Sequence, residues 1–156
     1  MAGLPLPEGY HTATPYLIVD DGEAALAFYT RAFGVTETTR LEDPEGGKII
    51  HAEFKIGNSM FMRSNEFPEM GFVSPKTLGG SPITLHLYVE AVDDAVAQAI
   101  EAGAEVVRPL QDQFYGDRSA SLKDPFGHQW SISSHVEDLT VEEIKSRFAE
   151  MMKSSG

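Results

Sequence analysis

Apolar and polar residues alternate along several short stretches of this chain, and between them the period lengthens to that of a helix. Residues 12–20 and 82–90 both alternate, and both lead into an amphipathic run. In the first run Ala25, Phe28 and Ala32 flank Leu26, Tyr29 and Phe33; in the second Val92, Val96, Ala99 and Ile100 share one face. Three more strands are expected after each helix, over 36–43, 48–56 and 58–64, then over 105–114, 118–124 and 129–135. Gly46-Gly47 and Gly116-Asp117 fall where hairpin turns are needed, and both dipeptides tolerate a positive φ. The pattern predicts one strand, one helix and three strands, twice over.

An offset of about 70 residues relates the two copies. Thr14 to Asp20 falls on Thr84 to Glu90, and Gly57-Asn58-Ser59-Met60 falls on Gly127-His128-Gln129-Trp130. The modules span about 12–64 and 82–138. Residues 65–81, rich in Pro, Gly and Ser, are expected to form a connecting loop, and Phe67, Met70 and Phe72 would let it act as a flap. A last helix is expected over about 140–152. Thr140 and Glu143 make a capping box there, and Val141, Ile144, Phe148 and Met151 form an apolar stripe suited to packing or to a dimer contact.

Charge narrows the partners. Twelve Lys and Arg stand against 24 Asp and Glu, a formal net charge of −12. Such a surface repels phosphate backbones and anionic lipids, so neither nucleic acid nor membrane is an expected partner. No apolar run approaches the length of a bilayer span. The first residues lack the charged-then-apolar layout of a signal peptide, and a cytoplasmic location is expected. Without cysteine there is no disulfide and no thiolate chemistry, which leaves any metal to His, carboxylates, amides and hydroxyls.

The duplicated βαβββ unit, with Asp124-Pro125-Phe126-Gly127-His128 before its last strand, resembles the vicinal oxygen chelate superfamily. That superfamily includes glyoxalase I, extradiol dioxygenases and the bleomycin- and fosfomycin-resistance proteins. The stretches PYLIVDDGEAALAFYTRAFG, IGNSMFMRSNEFPEMG and YGDRSASLKDPFGHQWSISSHVED are similar to its PhnB-like branch, and the likeness spans about residues 12–138. It implies an α+β fold: two tandem βαβββ modules form curved mixed sheets around a concave cavity, followed by a C-terminal helix. It also implies metal ligands on the first and last strands of each module, at positions that map to Thr14, the region of Phe61, Thr84 and Ser131. Hydroxyls are weak ligands and a phenyl ring is none, which argues against a divalent metal cofactor there.

Period-two alternation divides the strand residues between two faces. Leu17, Val19, Ala52, Phe54, Ile56, Met60, Met62, Leu85, Leu87, Val89, Trp130 and Ile132 are assigned to the helix side. Thr14, Tyr16, Ile18, His51, Glu53, Phe61, Arg63, Thr84, His86, Tyr88, Ser121, Ser131, Ser133 and His135 are assigned to the other. The second set either lines a cavity or is the wet face of a half-buried sheet.

On the cavity reading, Tyr16, Phe61, Arg63, Tyr88, Ser131 and Ser133 contact a small-molecule ligand. Arg63 then clamps a carboxylate or phosphate; otherwise it forms a surface ion pair. His86 is the candidate catalytic residue, as a general base, an anion partner or a metal ligand, against the plainer role of a histidine bonded to a neighbouring strand. His51, Glu53 and His86 form an alternative two-His, one-carboxylate metal set, against cross-strand pairing of His51 or Glu53 with Arg63 or Lys123. Asp117 reads as mainly structural, Trp130 as core, and His128 as exposed at its turn. Two functions fit: a metal-assisted lyase, isomerase or dioxygenase of the glyoxalase type, or a metal-free drug- or metabolite-sequestering protein. In both a homodimer is expected.

Overall fold

A computed structural model describes residues 2–155. In the first module β1 (Tyr16–Val19) leads into α1 (Gly22–Phe33), then β2 (Thr36–Glu42), β3 (Ile49–Ile56) and β4 (Ser59–Asn65). The second repeats the order with β5 (Thr84–Tyr88), α3 (Val92–Ala102), β6 (Glu105–Asp112), β7 (Asp117–Lys123) and β8 (Gln129–His135). Each module forms one four-stranded mixed sheet, ordered β1-β4-β3-β2 and β5-β8-β7-β6. In both, the first strand pairs parallel with the last and the other pairs are antiparallel. The connecting segment has structure of its own: a single 3-10 turn (Pro68–Met70) and one helical turn, α2 (Pro75–Leu78). Among the described residues no helix is long and apolar enough to cross a membrane.

Local chemistry sets the helix ends. The Asp21 carboxylate accepts from Ala24 N at 3.1 Å and opens α1, and Gly34 closes it in the left-handed conformation, φ 64°. At the C-terminus Thr140 Oγ1 accepts from Glu143 N at 3.1 Å and starts α4 (Val141–Ser155), which is the first half of the expected capping box; the Glu143 carboxylate accepts from the Thr140 hydroxyl at 3.2 Å instead of from its backbone N–H.

One apolar core serves both modules. Tyr29 of α1 stacks on Phe54 of β3 at 5.7 Å between ring centroids and meets Trp130 of β8 at the same separation. Phe28 of α1 faces Phe126 of the second module's turn. With both helices and the helix-facing sides of both sheets in this core, the opposite face of each sheet is left open.

The DPFGHQW stretch stitches the modules together. Asp124 is 4% exposed, and its carboxylate accepts four hydrogen bonds. Tyr29 Oη (2.6 Å) and Trp130 Nε1 (2.9 Å) donate to one oxygen; the backbone N–H groups of Phe126 (2.9 Å) and His128 (3.0 Å) donate to the other. His128 is half-buried, and its Nε2 donates to the Ile18 carbonyl at 2.8 Å. That corrects the expectation of a histidine exposed at the turn: its ring bridges to the edge strand of the other module.

The repeat holds a constant offset only within a strand. Leu17 pairs with Arg63 as Leu87 pairs with Ile132, and Ala52 pairs with Arg63 as Ala120 pairs with Ile132. The offset is therefore 70 on the first strand, 68 on the third and 69 on the fourth. The turn before β8 has three residues between Asp124 and His128, which are joined by a backbone bond, where Gly57-Asn58 alone separates Ile56 from Ser59. A shift of one residue exchanges the faces of a strand. On β4, then, Phe61 and Arg63 belong to the helix side and Met62 to the open side, the reverse of the assignment made from period-two alternation.

Candidate functional site

The open face of the second sheet carries two rows of polar side chains in register. His86 of β5 lies beside Ser131 of β8, Ser131 beside Ser121 of β7, and Ser121 beside Arg108 of β6. In the next row Tyr88, Ser133, Ser119 and Gln111 are neighbours in the same order. The rows arise because β5, β7 and β8 alternate, so every second residue turns away from the core while Ala120, Leu122, Trp130 and Ile132 are buried in it.

Over the first row, and over Ser119 and Gln111 of the second, lies a cavity of about 490 Å³; Tyr88 and Ser133 are outside its lining. Its walls are Phe114 and Tyr115 from the β6–β7 turn and Met151 from α4. Phe148 rests on Phe114 with ring centroids 5.6 Å apart, and Arg147 donates to Glu137 at 2.6 Å, so α4 is held beside the cavity although none of its residues is buried. The stripe expected on this helix does meet protein.

At the edge of the floor is a charged network. Tyr88 Oη donates to Asp117 at 2.8 Å, and His135 Nδ1 donates to the other oxygen of the same carboxylate at 2.8 Å. His135 Nε2 donates to Asp138 at 2.8 Å. The bond to Asp117 above all, then that to Asp138, raises the His135 pKa, and donation to Asp117 raises that of Tyr88. Asp117 thus fixes the Tyr88 side chain. The His86 ring lies edge-on to Tyr88, centroids 4.8 Å apart.

His86 also borders a cleft of about 240 Å³ between the modules, with Thr14, Met60, Phe61 and Thr84. A third, more apolar space of about 360 Å³ runs along the seam under the connecting segment, lined by Ile18, Val73, Leu78, Ile83 and His128. His86 is the histidine common to the first two.

Two expected ligand contacts lie elsewhere. Arg63 is 0% exposed; its Nη1 donates to the Gly22 carbonyl (2.7 Å) and its Nη2 to Glu37 (3.1 Å), tying β4 to the start of α1 and to β2. Phe61, 3% exposed, stacks on Phe54 and touches only the floor of the smaller cleft. Both follow from the exchange of faces on β4. Tyr16, Ser131, Ser133 and Tyr88 are on open faces. Ser133 is wholly buried there, with a hydroxyl that has no partner.

On the first sheet Tyr16 Oη donates to His51 Nδ1 at 2.9 Å, and His51 Nε2 donates to Glu53 at 3.2 Å. The expected pairing with Arg63 or Lys123 is replaced by this chain, and burial raises the Tyr16 pKa. His86 is on the other sheet, so His51, Glu53 and His86 are not assembled; among the described residues no three His, Asp or Glu side chains are grouped to hold a metal. At the family's ligand positions stand Thr14, Thr84 and Ser131, and on β4 the open-facing residue is Met62, the register partner of Tyr16. Three hydroxyls and a thioether do not fit a hard divalent ion.

Sequence reasoning missed Arg108, Gln111 and Ser119. Arg108 and Gln111 are on a strand whose pairing with β7 is irregular, so period two gives no face for them. Ser119 alternates cleanly with Ala120, and that signal was there to use.

Comparison with known proteins places these features in context. The model of the Glyoxalase/Bleomycin resistance protein/Dioxygenase superfamily matches residues 10–132. The protein Rv0887c of Mycobacterium tuberculosis is 40% identical over 136 residues, which are 85% of this chain and 79% of that one. Among solved structures, TioX from Micromonospora sp. ML1 superposes with a TM-score of 0.62 at 25% identity, covering 83% of this chain and all of TioX. A PhnB protein from Bacillus cereus has the same fold, with a TM-score of 0.62 at 19% identity over 80% of this chain and 99% of that one.

Proposed function

Because the chain belongs to the glyoxalase/bleomycin resistance protein/dioxygenase superfamily, we propose that it holds a small organic molecule against the open face of its second sheet, without a metal centre. The observation that carries this reading is the pair of in-register polar rows beneath a cavity of about 490 Å³. Such a volume suits a small ligand, and a few convergent polar groups beside aromatic walls give it orientation. His86, Ser131 and Ser121 have no side-chain hydrogen bond to protein among the described residues, so their donors and acceptors face the cavity uncommitted. The chain then acts as a binding or sequestering protein of the cytoplasm.

Filling the cavity tests this. Ser121→Leu with Ser131→Leu should leave the melting temperature near that of the wild type and abolish retention of small molecules from a metabolite mixture, read by native mass spectrometry. Unchanged retention would remove the cavity from the function. Stoichiometric zinc, nickel, manganese or iron in protein purified without chelator would overturn the metal-free part.

A second copy fits the same reading. Tyr16 (44% exposed), Tyr88 (64%) and Phe148 (47%) lie outside the shared core, and a partner would take them out of water. Light scattering should give the mass of two chains, and Phe148→Glu the mass of one.

The Tyr16–His51–Glu53 chain favours a catalytic alternative. It orients an imidazole between a phenol and a carboxylate, the layout of a general acid–base relay. Turnover of a bound molecule that His51→Gln abolishes, with binding intact, would select this alternative.

A further inference from the structure

Resting on that assignment of the site, we infer that the ligand is an organic anion: a flat molecule bearing a carboxylate that Arg108 grips. Asp and Glu make up 24 of the 156 residues, yet none lines the cavity. The basic side chains of the lining are Arg108 and His86.

Arg108 stands apart from the other arginines. Arg40, Arg63, Arg118 and Arg147 each hold at least one carboxylate, and Arg31 donates to the Ala102 carbonyl at 3.3 Å. Among the described residues Arg108 has no acid within ion-pair distance and no side-chain hydrogen bond, in a chain with twice as many acids as bases. A guanidinium is a planar fork whose geometry matches a carboxylate, and it stays charged throughout the physiological range. The Ser121 hydroxyl, next to Arg108 in the row, can donate to the same carboxylate.

The dimensions set the rest of the molecule. Strands lie about 4.8 Å apart, so the four-strand row from His86 to Arg108 spans about 14 Å of backbone. Both terminal side chains line the cavity and take up part of that span, so the molecule between them has about the length of one or two fused rings. The Phe114 and Tyr115 rings and the Met151 thioether offer such a ring an aromatic and polarisable wall. The net charge of −12 does not prevent anion binding, because charges beyond about 8 Å are largely screened at physiological ionic strength while Arg108 makes direct contact.

Matched acids and amides test the class: benzoate with benzamide, cinnamate with cinnamamide, and naphthoate with naphthamide. Binding is read by amide chemical shifts at Ser121 and Ser131 and by calorimetry on the full chain. The best acid should bind about tenfold or more tightly than its amide, the factor that about 1.4 kcal/mol supplies. Arg108→Gln should bring the acid down to the affinity of the amide without changing that of the amide, and Arg108→Lys should keep part of the difference. Arg108 is exposed, so the variants should melt with the wild type. Acid and amide binding alike, or an acid indifferent to Arg108→Gln, overturns the anion while the site stands. If no member of any pair moves Ser121 or Ser131, the site itself falls, and the anion with it.

Discussion

Replacing Tyr29 by Phe removes a single oxygen from the middle of the molecule, and the protein should lose about 1.5–3 kcal/mol of stability. The Tyr29 hydroxyl is fully buried and donates to the Asp124 carboxylate at 2.6 Å, a short bond to an ionised acceptor in a place water does not reach. Phe keeps the ring, so its stacking on Phe54 and contact with Trp130 persist and almost no cavity opens. The loss is therefore the bond itself. A chain of this length shifts its melting temperature by about 2–4 °C per kcal/mol, so Tyr29→Phe should melt about 3–12 °C lower. Asp124→Ala is the harsher companion. It leaves the Tyr29 hydroxyl, the Trp130 N–H and two backbone N–H groups without an acceptor and should cost more than about 3 kcal/mol. Trp130 is the sole tryptophan and donates to the same carboxylate, so its fluorescence in urea reports the transition from within the network. If Tyr29→Phe stays within about 0.3 kcal/mol of the wild type while Asp124→Ala is severe, the intermodule bond adds nothing net, and Asp124 matters only for its own turn.

Three further outcomes are expected. Arg63→Met should cost at least about 2 kcal/mol in urea melts, because the Gly22 carbonyl loses its donor and Glu37 one of its two arginines, while ligand affinity should not change. The His135 pKa is held above its ordinary 6.5 by Asp117 and Asp138, so its stabilising contribution is complete below about 6.5 and is lost as pH rises through the raised folded value. Urea midpoints of wild type and His135→Gln should accordingly differ at acidic pH and converge at alkaline pH; a gap that widens with pH would reverse the sign. Gly116→Ala should destabilise by about 2 kcal/mol or more, since Gly116 has φ 99° and an added methyl would meet the Glu137 carbonyl. Proteolysis between β8 and α4 should then speed up, as Val136 and Glu137 both donate to the Gly116 carbonyl.

Most of the strand and helix plan was legible because most elements carry their own period. The limits of 129–135 match an alternation that anyone can count, and Thr140 with Glu143 announces α4, whereas Thr36–Glu42 and Glu105–Asp112 carry no such alternation. On β4 the sequence reads Met60-Phe61-Met62-Arg63, where either face can pass for the apolar one. Period-two alternation separates the two sets but cannot tell which of them faces the helices, and every side chain on β4 changed sides. Arg63 shows why composition did not help: a charged residue reads as solvent-facing until a carbonyl and a carboxylate are found waiting in the core. Arg108 is the opposite case. What distinguishes it is the lack of an acid nearby, which only the folded arrangement reveals.

The alternation along β7 and β8 means that the candidate site and the scaffold occupy the same strands and share only the small Ala120 side chain among the buried core residues. Ala120, Leu122, Trp130 and Ile132 hold the fold together, while Ser119, Ser121 and Ser131, interleaved with them, face the cavity. Evolution and protein engineers can edit one register without disturbing the other. Ser121 and Ser131 are the permissive positions, because both border the cavity and neither is fully buried. On the proposed function, single substitutions in that row would change what the cavity holds while the core, and with it the melting temperature, stays as it is.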